Sequence, residues 1–379
     1  MTKIPFNRPY LTGLEVAYFS DALNRRHLSG DGHYTKRCSF LLETITSAPK
    51  VLLTHSCTAA LEMSAILANI GPGDEVIMPS FTFVSTANAF ALRGATPVFV
   101  DIRPDTLNID ERKVDAAITK KTRAIVPVHY AGVSCEMTRL TEIAEKNGLA
   151  LIEDAAQGLL SYYEDKHLGS IGSLGTISFH ESKNIGAGEA GALLINDPNL
   201  IERAEIIREK GTNRSRFFRG QIDKYSWVDV GSSYLPPETT AAYLLAQLEH
   251  AEEITKKRLA IWNTYHQALA QFEAANRITR PAIPANAKHN AHIYYLLMEN
   301  LSDRSKFIHH MSTRAISALF HYVPLHQSDF GKKIGRIAGT MSVTESIADR
   351  LVRLPVWPEL EPLQKTVITA IHDFFESRA

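Results

Sequence analysis

The sequence predicts an α/β protein built on a large, mainly parallel sheet. Between residues 51 and 197, short segments rich in β-branched residues alternate with segments of helical apolar spacing, which is the pattern of strand–helix units. The strand segments are mostly apolar on both faces, as a sheet covered by helices on both sides requires. A chain of 379 residues, 45% of them hydrophobic, can also bury a substantial core.

Seven strands and four helices are expected in this part of the chain. The strands are predicted at residues 51–54, 75–80, 96–102, 124–130, 149–154, 176–180 and 192–196. Between the first five, apolar residues recur every three to four positions, so helices are predicted at residues 57–70, 84–94, 111–118 and 135–148.

The last third of the chain predicts a second, smaller α/β domain. A long helical pattern runs from Pro236 to Phe272 and begins with a double proline, which is tolerated at a helix start. A proline-containing linker, a strand and two helices are predicted after it, at residues 280–288, 292–299, 302–316 and 363–375. We therefore expect a large domain at residues 1–250 and a small one at residues 251–379.

Composition argues against several classes of function. Lys and Arg together number 41, as do Asp and Glu, so a basic nucleic-acid surface is not indicated. The cysteines Cys38, Cys57 and Cys135 form no CxxC pair, which favours neither a disulfide framework nor a zinc site. The chain has no apolar leader and no apolar run long enough to span a membrane. We expect a soluble, cytoplasmic protein that binds no metal, nucleic acid or membrane.

The first strand leads into THSCTAALEM, which opens a helix. The free N–H groups of such a helix start favour an anion, for instance a phosphate, and Ser56, Cys57 and Thr58 would supply the donors. An ordinary helix cap explains the same residues. Phe83 follows the second strand, where its ring is either part of the core or a stacking surface for a planar ligand.

Two carboxylates end the apolar strand of LIEDAAQG. A carboxylate at this place requires a cationic partner or solvent, and Asp154 is equally well explained as a helix cap. Gln157, three residues on, would share a face of the next turn with Asp154. Ligands of open α/β sheets gather beyond the carboxyl ends of the strands, where both residues lie.

Lys183 lies in SFHESKNIGAGEAG, a glycine-rich turn between two predicted core strands. A loop lysine usually faces solvent, but a lysine held at the ligand edge of a sheet can have a pKa lowered by desolvation. It then attacks carbonyl groups and can form a Schiff base. A phosphate cradle, a ring stacker, a carboxylate and this lysine together indicate a pyridoxal phosphate site.

The sequence contains no motif of another cofactor, nucleophile or metal site in the structural context that the motif requires. The only GxGxxG is GAGEAG at residues 186–191, and it runs into a strand instead of opening a helix. The sequence has no P-loop, no GxSxG and no HExxH. His309, His310, His321 and His326 are therefore interpreted as structural or substrate-contacting residues, not as metal ligands.

The stretches SFHESKN, EDAAQG and GDEVIMPSFTFVSTANAF resemble the sugar aminotransferases of the DegT/DnrJ/StrS family, and the resemblance extends from IPFNRP to RLPVWPEL. It implies a pyridoxal-phosphate-dependent transferase of fold type I, the aspartate aminotransferase architecture. It also implies a homodimer with active sites at the interface. Lys183 matches the family's Schiff-base lysine, Asp154 the partner of the pyridine nitrogen, Gln157 the glutamine near the phenolic oxygen and Phe83 the stacking ring.

The resemblance also extends to the residues that hold the cofactor's phosphate. Cys57 and Thr58 match the phosphate loop, and Ser178 matches a phosphate-binding serine. Many members carry a GYNYR-type stretch whose asparagine reaches the phosphate of the neighbouring subunit. Here the stretch is GSSYL, with Ser233 at that place, so the contact between subunits is expected from a hydroxyl.

Three longer stretches resemble one group within the family: LRGATPVFVDIRPDTLNID, VPVHYAGVSCEM and IIREKGTNRSRFFRGQIDKYSW. This likeness implies dTDP-4-dehydro-6-deoxyglucose as acceptor and glutamate as amino donor, in the synthesis of surface polysaccharides such as enterobacterial common antigen. The arginines and aromatics of the third stretch are expected near the nucleotide diphosphate. Asn184, His321 and His326 are expected near the sugar.

Three alternatives stay open from the sequence alone. In the first, the acceptor is a 3-keto sugar instead of a 4-keto sugar. In the second, the chain is a cofactor-dependent sugar dehydratase, and the presence of Lys183 argues against this. In the third, the chain is a non-enzymatic regulator on the same fold. The joint presence of Lys183, Asp154 and Gln157 argues against the regulator.

Overall fold

The computed structural model describes residues 3–376 and confirms the α/β fold class. The strands are β1 (Lys50–Thr54), β2 (Glu75–Pro79), β3 (Thr96–Val100), β4 (Thr122–Ile125), β5 (Ala150–Asp154), β6 (Tyr162–Tyr163), β7 (Lys166–His167), β8 (Leu174–Ser178), β9 (Gly191–Ile195), β10 (Ala287–Lys288), β11 (Tyr294–Leu297), β12 (Arg336–Ile337) and β13 (Leu351–Leu354).

Helices surround these strands along the whole chain. They are α1 (Glu15–Asn24), α2 (His33–Thr46), α3 (Cys57–Leu67), α4 (Val84–Ala91), α5 (Glu111–Ala117), α6 (Met137–Asn147), α7 (Ile201–Arg208), α8 (Arg214–Phe218), α9 (Glu238–Leu248), α10 (Ala251–Ala268), α11 (Ala270–Ala274), α12 (Leu301–Thr313), α13 (Asp329–Ile334), α14 (Ser342–Arg350) and α15 (Glu361–Glu376).

Eight strands form the main sheet, in the order β1-β9-β8-β5-β4-β2-β3-β12. Only β9 runs against the others, pairing antiparallel with β1 and β8; the remaining pairs are parallel. Strands β1, β2, β5 and β8 therefore end at the same edge of the sheet. Polar residues that follow them in the sequence meet there.

Strand β4 is shorter than predicted and ends at Ile125, because the segment beyond it contains Pro127, which has no N–H to donate. Irregular pairing continues there: Pro127 O accepts from Asp154 N at 2.9 Å, and Asp154 O accepts from His129 N at 3.1 Å. The predicted helix from Pro236 to Phe272 is in fact three helices, α9, α10 and α11.

The C-terminal part of the chain has its own core between α10, α12, α15 and the β11–β13 pair. Ile4 packs in this core and forms a bridge with Ile316, so the N-terminal segment crosses to it. The predicted division at residue 250 stays a prediction. Among residues 3–376, no helix is both long and apolar enough to cross a bilayer.

Candidate active site

A cavity of about 510 Å³ opens at the carboxyl edge of the main sheet. It brings together eight of the eleven residues that the family resemblance assigns to the cofactor or the sugar: Cys57, Thr58, Phe83, Asp154, Gln157, Ser178, Lys183 and His321. The parallel direction of β1, β2, β5 and β8 explains this meeting, since each strand delivers its following residues to one edge. In the described part of the chain, no cluster of three or more His, Cys, Asp or Glu could hold a metal ion.

Helix α3 begins at the floor of the cavity. Ser56 caps it, its hydroxyl accepting from Ala59 N at 3.1 Å, while the N–H groups of the first helical residues have no partner within the helix. A Cβ at Gly191 would lie 2.4 Å from Cys57 N, so only glycine lets β9 approach this turn. Burial raises the pKa of the Cys57 thiol to about 12, which keeps it neutral.

Thr58 and Ser178 complete the polar floor. The Thr58 hydroxyl lies 2.8 Å from the Ser85 hydroxyl. Ser178 is buried at the end of β8 and accepts weakly from His180 N, at 3.4 Å. Neutral hydroxyls beside the dipole of a helix N-terminus form a place for a phosphate group.

Strand β5 ends in two carboxylates that face opposite ways, as successive residues of a strand do. Glu153 faces the loop before β8 and accepts from Ile171 N, Gly172 N and Gly169 N at 2.6 to 2.8 Å, and from His129 Nε2 at 2.9 Å. Burial opposes its ionisation, but these hydrogen bonds prevail and lower the pKa of Glu153. Glu153 is thus a structural anchor.

Asp154 faces the cavity. It accepts from the Thr86 hydroxyl at 2.7 Å and from Ala156 N at 3.1 Å. Both donors are neutral, so no cation of the described chain pairs with this carboxylate in a hydrogen bond or ion pair. A ligand with a protonated nitrogen would supply the missing charge.

Gln157 is held on both sides. Its Oε1 accepts from Ala131 N at 2.7 Å, and its Nε2 donates to the Tyr322 hydroxyl at 3.0 Å. Gly132, which follows Ala131, has a φ of 76°, and a Cβ at this position would lie 2.1 Å from Asn290 Oδ1. Asn290 in turn donates to Gln157 O, which fixes this wall of the cavity.

Phe83 precedes α4 and is 58% exposed although it lines the cavity. A large ring left open at a cavity wall can cover the face of a planar ligand. Across the sheet edge, His321 stacks on Tyr322 with ring centroids 3.7 Å apart, and its Nδ1 lies 2.7 Å from the Tyr130 hydroxyl. Burial holds the pKa of His321 well below its usual value, so the imidazole is neutral.

Lys183 lies in the turn between β8 and β9, and its side chain reaches the cavity. The backbone is held by Lys183 N donating to His180 O at 2.9 Å. Desolvation lowers the pKa of the Lys183 amine; Arg353 lowers it further, whereas Asp154 raises it. A lowered pKa increases the fraction of neutral amine, which is the nucleophilic form that carbonyl chemistry requires.

Three predicted residues lie outside the cavity. Ser233 is exposed and pairs with Glu209 in an isolated bridge. His326 is buried between the Ser80 hydroxyl, 2.7 Å from its Nδ1, and Glu345, 3.1 Å from its Nε2. Asn184 faces a neighbouring cavity of about 380 Å³, donates to Asn290 O at 2.8 Å and lies 2.9 Å from His292 Nδ1.

The basic stretch expected near a nucleotide also lies outside the cavity. Arg216 pairs with Glu202, and Arg219 pairs with Glu205 at 2.8 Å, so both guanidinium groups are engaged beside α7. Arg353 and Tyr322 also line the cavity, although neither was predicted from the sequence. An arginine within the apolar segment LVRLPV was the available signal for the former.

The residues present fit pyridoxal 5′-phosphate. The start of α3 offers N–H groups to a phosphate, and Gly191 lets β9 pack directly against that turn. Phe83 offers a ring face, Asp154 an unpaired carboxylate and Lys183 a desolvated amine. A lysine for a Schiff base and a carboxylate for the pyridine nitrogen are the protein groups that this cofactor uses.

Comparison with known proteins agrees with this fit. The sequence profile of the DegT/DnrJ/EryC1/StrS aminotransferase family matches residues 9–372. GDP-perosamine synthase from Caulobacter vibrioides is 33% identical over 328 residues, covering 86% of each chain.

Solved structures extend the similarity to the fold. DesV from S. venezuelae, determined with a ketimine intermediate, has a TM-score of 0.89 and 29% identity over 99% of both chains. The PLP form of the sugar aminotransferase Spr1654 from Streptococcus pneumoniae has a TM-score of 0.88 and 26% identity, over 98% of this chain and all of that one. Both the aminotransferase architecture and the cofactor expected from the sequence are confirmed.

Proposed function

We propose that this chain, which belongs to the DegT/DnrJ/EryC1/StrS aminotransferase family and uses pyridoxal 5′-phosphate, transfers the amino group of glutamate to C4 of dTDP-4-dehydro-6-deoxyglucose. The product would be dTDP-4-amino-4,6-dideoxygalactose. The observation that carries the aminotransfer is the meeting of Lys183, Asp154, Gln157 and Phe83 in one cavity. The acceptor and the donor rest on sequence likeness.

Lys183 is the proposed catalytic residue. When bound, pyridoxal 5′-phosphate supplies the aldehyde carbon that carries the amino group and a ring that accepts electrons from the donor's α-carbon. Lys183 Nζ would hold the cofactor through its aldehyde carbon, and the same amine, when free, would take the proton from the donor's Cα. Because desolvation lowers the pKa of this amine, a larger fraction of it is unprotonated and able to accept that proton.

The other residues position the cofactor and hold its charge. Asp154 keeps a proton on the pyridine nitrogen, because an opposite charge favours the charged form. Phe83 covers one face of the ring, and Gln157 donates toward its phenolic oxygen. The phosphate is held by the N–H groups of Cys57 and Thr58 with the hydroxyl of Ser178.

Donor and acceptor use the same cavity in turn, which implies ping-pong kinetics. The donor must leave as 2-oxoglutarate before the keto sugar enters, since one Lys183 serves both. His321, neutral and at the cavity wall, is the better-placed of the two imidazoles proposed near the sugar, because both ring nitrogens of His326 lie beside Ser80 and Glu345.

The acceptor is tested by offering 4-keto and 3-keto dTDP sugars, with UDP and GDP counterparts, in excess glutamate. We expect the highest kcat/KM with the 4-keto dTDP sugar and a galacto-configured amine by NMR. A kcat/KM as high with the 3-keto isomer would contradict the C4 assignment. A preference for UDP or GDP would contradict the nucleotide and leave the proposed chemistry at Lys183 intact.

We also propose a homodimer with shared active sites. Ser233 is exposed, and an apolar strip near it is open as well, with Trp227 80% exposed and Val228 51% exposed. A second copy covering this face would bring Ser233 to the partner's phosphate. We expect sedimentation to show a dimer at assay concentration and Ser233→Ala to weaken cofactor retention. A fully active monomer would contradict the shared site.

A further inference from the structure

His292 shares two small cavities with Lys183 and lies outside the main cavity proposed for the cofactor. The two cavities have volumes of about 80 and 10 Å³, and both residues line each of them. The main cavity is lined by Lys183 but not by His292. The imidazole therefore borders the amine without lining the cofactor's cavity, and it has no part in the steps proposed above.

Hydrogen bonds around Asn184 determine which ring nitrogen of His292 carries the proton. Asn184 Nδ2 donates to Asn290 O at 2.8 Å, so the other end of this amide, Oδ1, is the atom that lies 2.9 Å from His292 Nδ1. Because an amide oxygen can only accept, Nδ1 must donate to it. Asn290 is itself fixed, since its Nδ2 donates to Gln157 O and Leu159 O, both at 2.8 Å.

The ring is neutral, so its second nitrogen is a bare acceptor. Burial lowers the pKa of His292 well below its usual value, and Lys183, Arg258 and Arg353 lower it further. With the single ring proton on Nδ1, Nε2 carries only a lone pair. No group among residues 3–376 forms a hydrogen bond with Nε2. An acceptor at the wall of a small cavity requires a donor there.

Lys183 is the donor best placed for this nitrogen. Of the residues that the structure describes, only Gln157, Lys183 and His292 line both small cavities. The Gln157 amide is engaged, because its Nε2 donates to the Tyr322 hydroxyl at 3.0 Å. In the same part of the chain, Lys183 Nζ forms no hydrogen bond and no ion pair. The amine therefore lacks an acceptor beside an imidazole that lacks a donor.

Other charged and titratable groups face this pair from several elements: Arg258 of α10, Arg353 of β13, His321, Tyr322 and, in the main cavity, Asp154 and Cys57. Both arginines are held by backbone carbonyls, Arg258 by His292 O and Arg353 by Phe320 O, each at 2.8 Å. Burial lowers the pKa of His321 and raises the pKa values of Tyr322 and Cys57, so these three are neutral near pH 7. Substitution of His292 leaves all of these groups in place, so a change in the titration of Lys183 would report the imidazole.

We propose that His292 Nε2 accepts a hydrogen bond from the Lys183 amine, directly or across one water, and so aims the amine for proton transfer. The smaller cavity, at about 10 Å³, has room for a single water. This role rests on the proposed function, in which Lys183 takes a proton from the donor's Cα. The ammonium formed in that step donates a charge-assisted hydrogen bond to Nε2, which favours the charged form and raises the pKa of Lys183. His292 is thus a positioning residue that acts through Lys183.

Two substitutions separate this acceptor from the contact with Asn184. In His292→Asn, the amide nitrogen takes the place of Nδ1 and keeps the bond to Asn184 Oδ1, but nothing replaces Nε2. In His292→Gln, the amide oxygen reaches the place of Nε2. We expect the pKa of Lys183 to fall by about one unit in His292→Asn, the effect of one charge-assisted hydrogen bond, and to stay nearer the parent value in His292→Gln.

The measurement is the pH dependence of the rate at which acetic anhydride acetylates Lys183, read by peptide mass. The protein is loaded with pyridoxamine 5′-phosphate, which carries an amine instead of the aldehyde and so leaves the lysine free. Lys166, exposed in β7, gives the reference rate in every sample. Proton removal from glutamate by His292→Asn should also slow, by at most about 10-fold.

His289→Asn is the matched control. His289 is partly buried as well, but it lines neither small cavity nor the main one, so Lys183 should titrate as in the parent. An unchanged Lys183 pKa in His292→Asn, or equal changes in the Asn and Gln variants, would overturn the proposal. A protonated Nε2 of His292 in the ¹⁵N NMR spectrum of the histidine-labelled parent would do the same, whether or not the variants fold. Absence of sugar amination in a parent whose Lys183 pKa depends on His292 would refute the proposed acceptor alone.

Discussion

Lys183→Ala should abolish aminotransfer, lowering kcat at least about 10³-fold, because one amine both binds the cofactor's aldehyde and moves the proton. The fold should survive, since the alanine removes a desolvated amine from a cavity wall and no core side chain. The measurement is single-turnover loss of the donor's amino group, with thermal unfolding as the check on the fold. Borohydride reduction of the parent should attach the cofactor to Lys183, as located by peptide mass.

Lys166→Ala is the control for this change. Lys166 is exposed in β7 and lies outside the cavity, so its loss should alter neither turnover nor labelling. Attachment of the cofactor to any other lysine, or turnover of Lys183→Ala within 10-fold of the parent, would remove Lys183 from the proposed mechanism.

The lysine was predictable from sequence because its context is local. A glycine-rich turn between two apolar strands places Lys183 at the ligand edge whatever the rest of the chain does. Asp154, Cys57 and Phe83 were predictable for the same reason: each follows a strand, and parallel strands end together.

Site residues from distant segments of the chain were harder to predict from the sequence. His321 and His326 looked equivalent in HYVPLH, but the short turn at Leu325–Gln327 directs His326 toward Ser80 and Glu345. Arg353 was not predictable, because its place in the cavity depends on β13 passing the cavity, which local spacing does not encode. A single arginine in an apolar strand was the one available sign.

The break between α9 and α10 was not predicted, because its cause is a local contact that the apolar periodicity does not show. Helix α9 ends at Leu248 and α10 starts at Ala251, while the apolar spacing continues through both. The His250 side chain lies 3.0 Å from Ala246 O, which satisfies a carbonyl at the end of α9. A side chain that satisfies a carbonyl at a helix end allows the helix to stop without any change in the hydrophobic pattern.

Asp154→Asn should keep the cofactor bound and lower kcat by about 10- to 10³-fold, the range expected when an opposite charge that shifts a pKa by one to three units is lost. The amide retains the shape: its oxygen can still accept from Ala156 N, and its NH₂ can donate to the Thr86 hydroxyl once that hydroxyl turns, so phosphate and ring contacts stay. The measurement is the rate of proton removal from the donor, followed with Cα-deuterated glutamate.

A substitution of the neighbouring carboxylate, Glu153, distinguishes the effect of losing a charge at the cofactor from the effect of losing a charge in the core. In Glu153→Gln, an amide NH₂ must replace one carboxylate oxygen that accepts two hydrogen bonds. Leaving those donors unpaired should lower the free energy of unfolding by about 3 kcal/mol, with a much smaller effect on kcat. Because the pKa of Glu153 is lowered by folding, its stabilisation is present above its unfolded pKa and is lost as the pH falls through the folded value.

The two variants should therefore show opposite profiles, although they alter adjacent residues of β5. Asp154→Asn should slow proton removal with little change in thermal stability at pH 7, and Glu153→Gln should destabilise the fold while proton removal in the folded fraction stays near the parent rate. The difference follows from the alternation of a strand: one side chain faces the cavity and the other faces the loop before β8. If Asp154→Asn kept the parent rate, Asp154 would be a cap of the following turn, held by Thr86 and Ala156 alone, and the cofactor's ring nitrogen would need another partner.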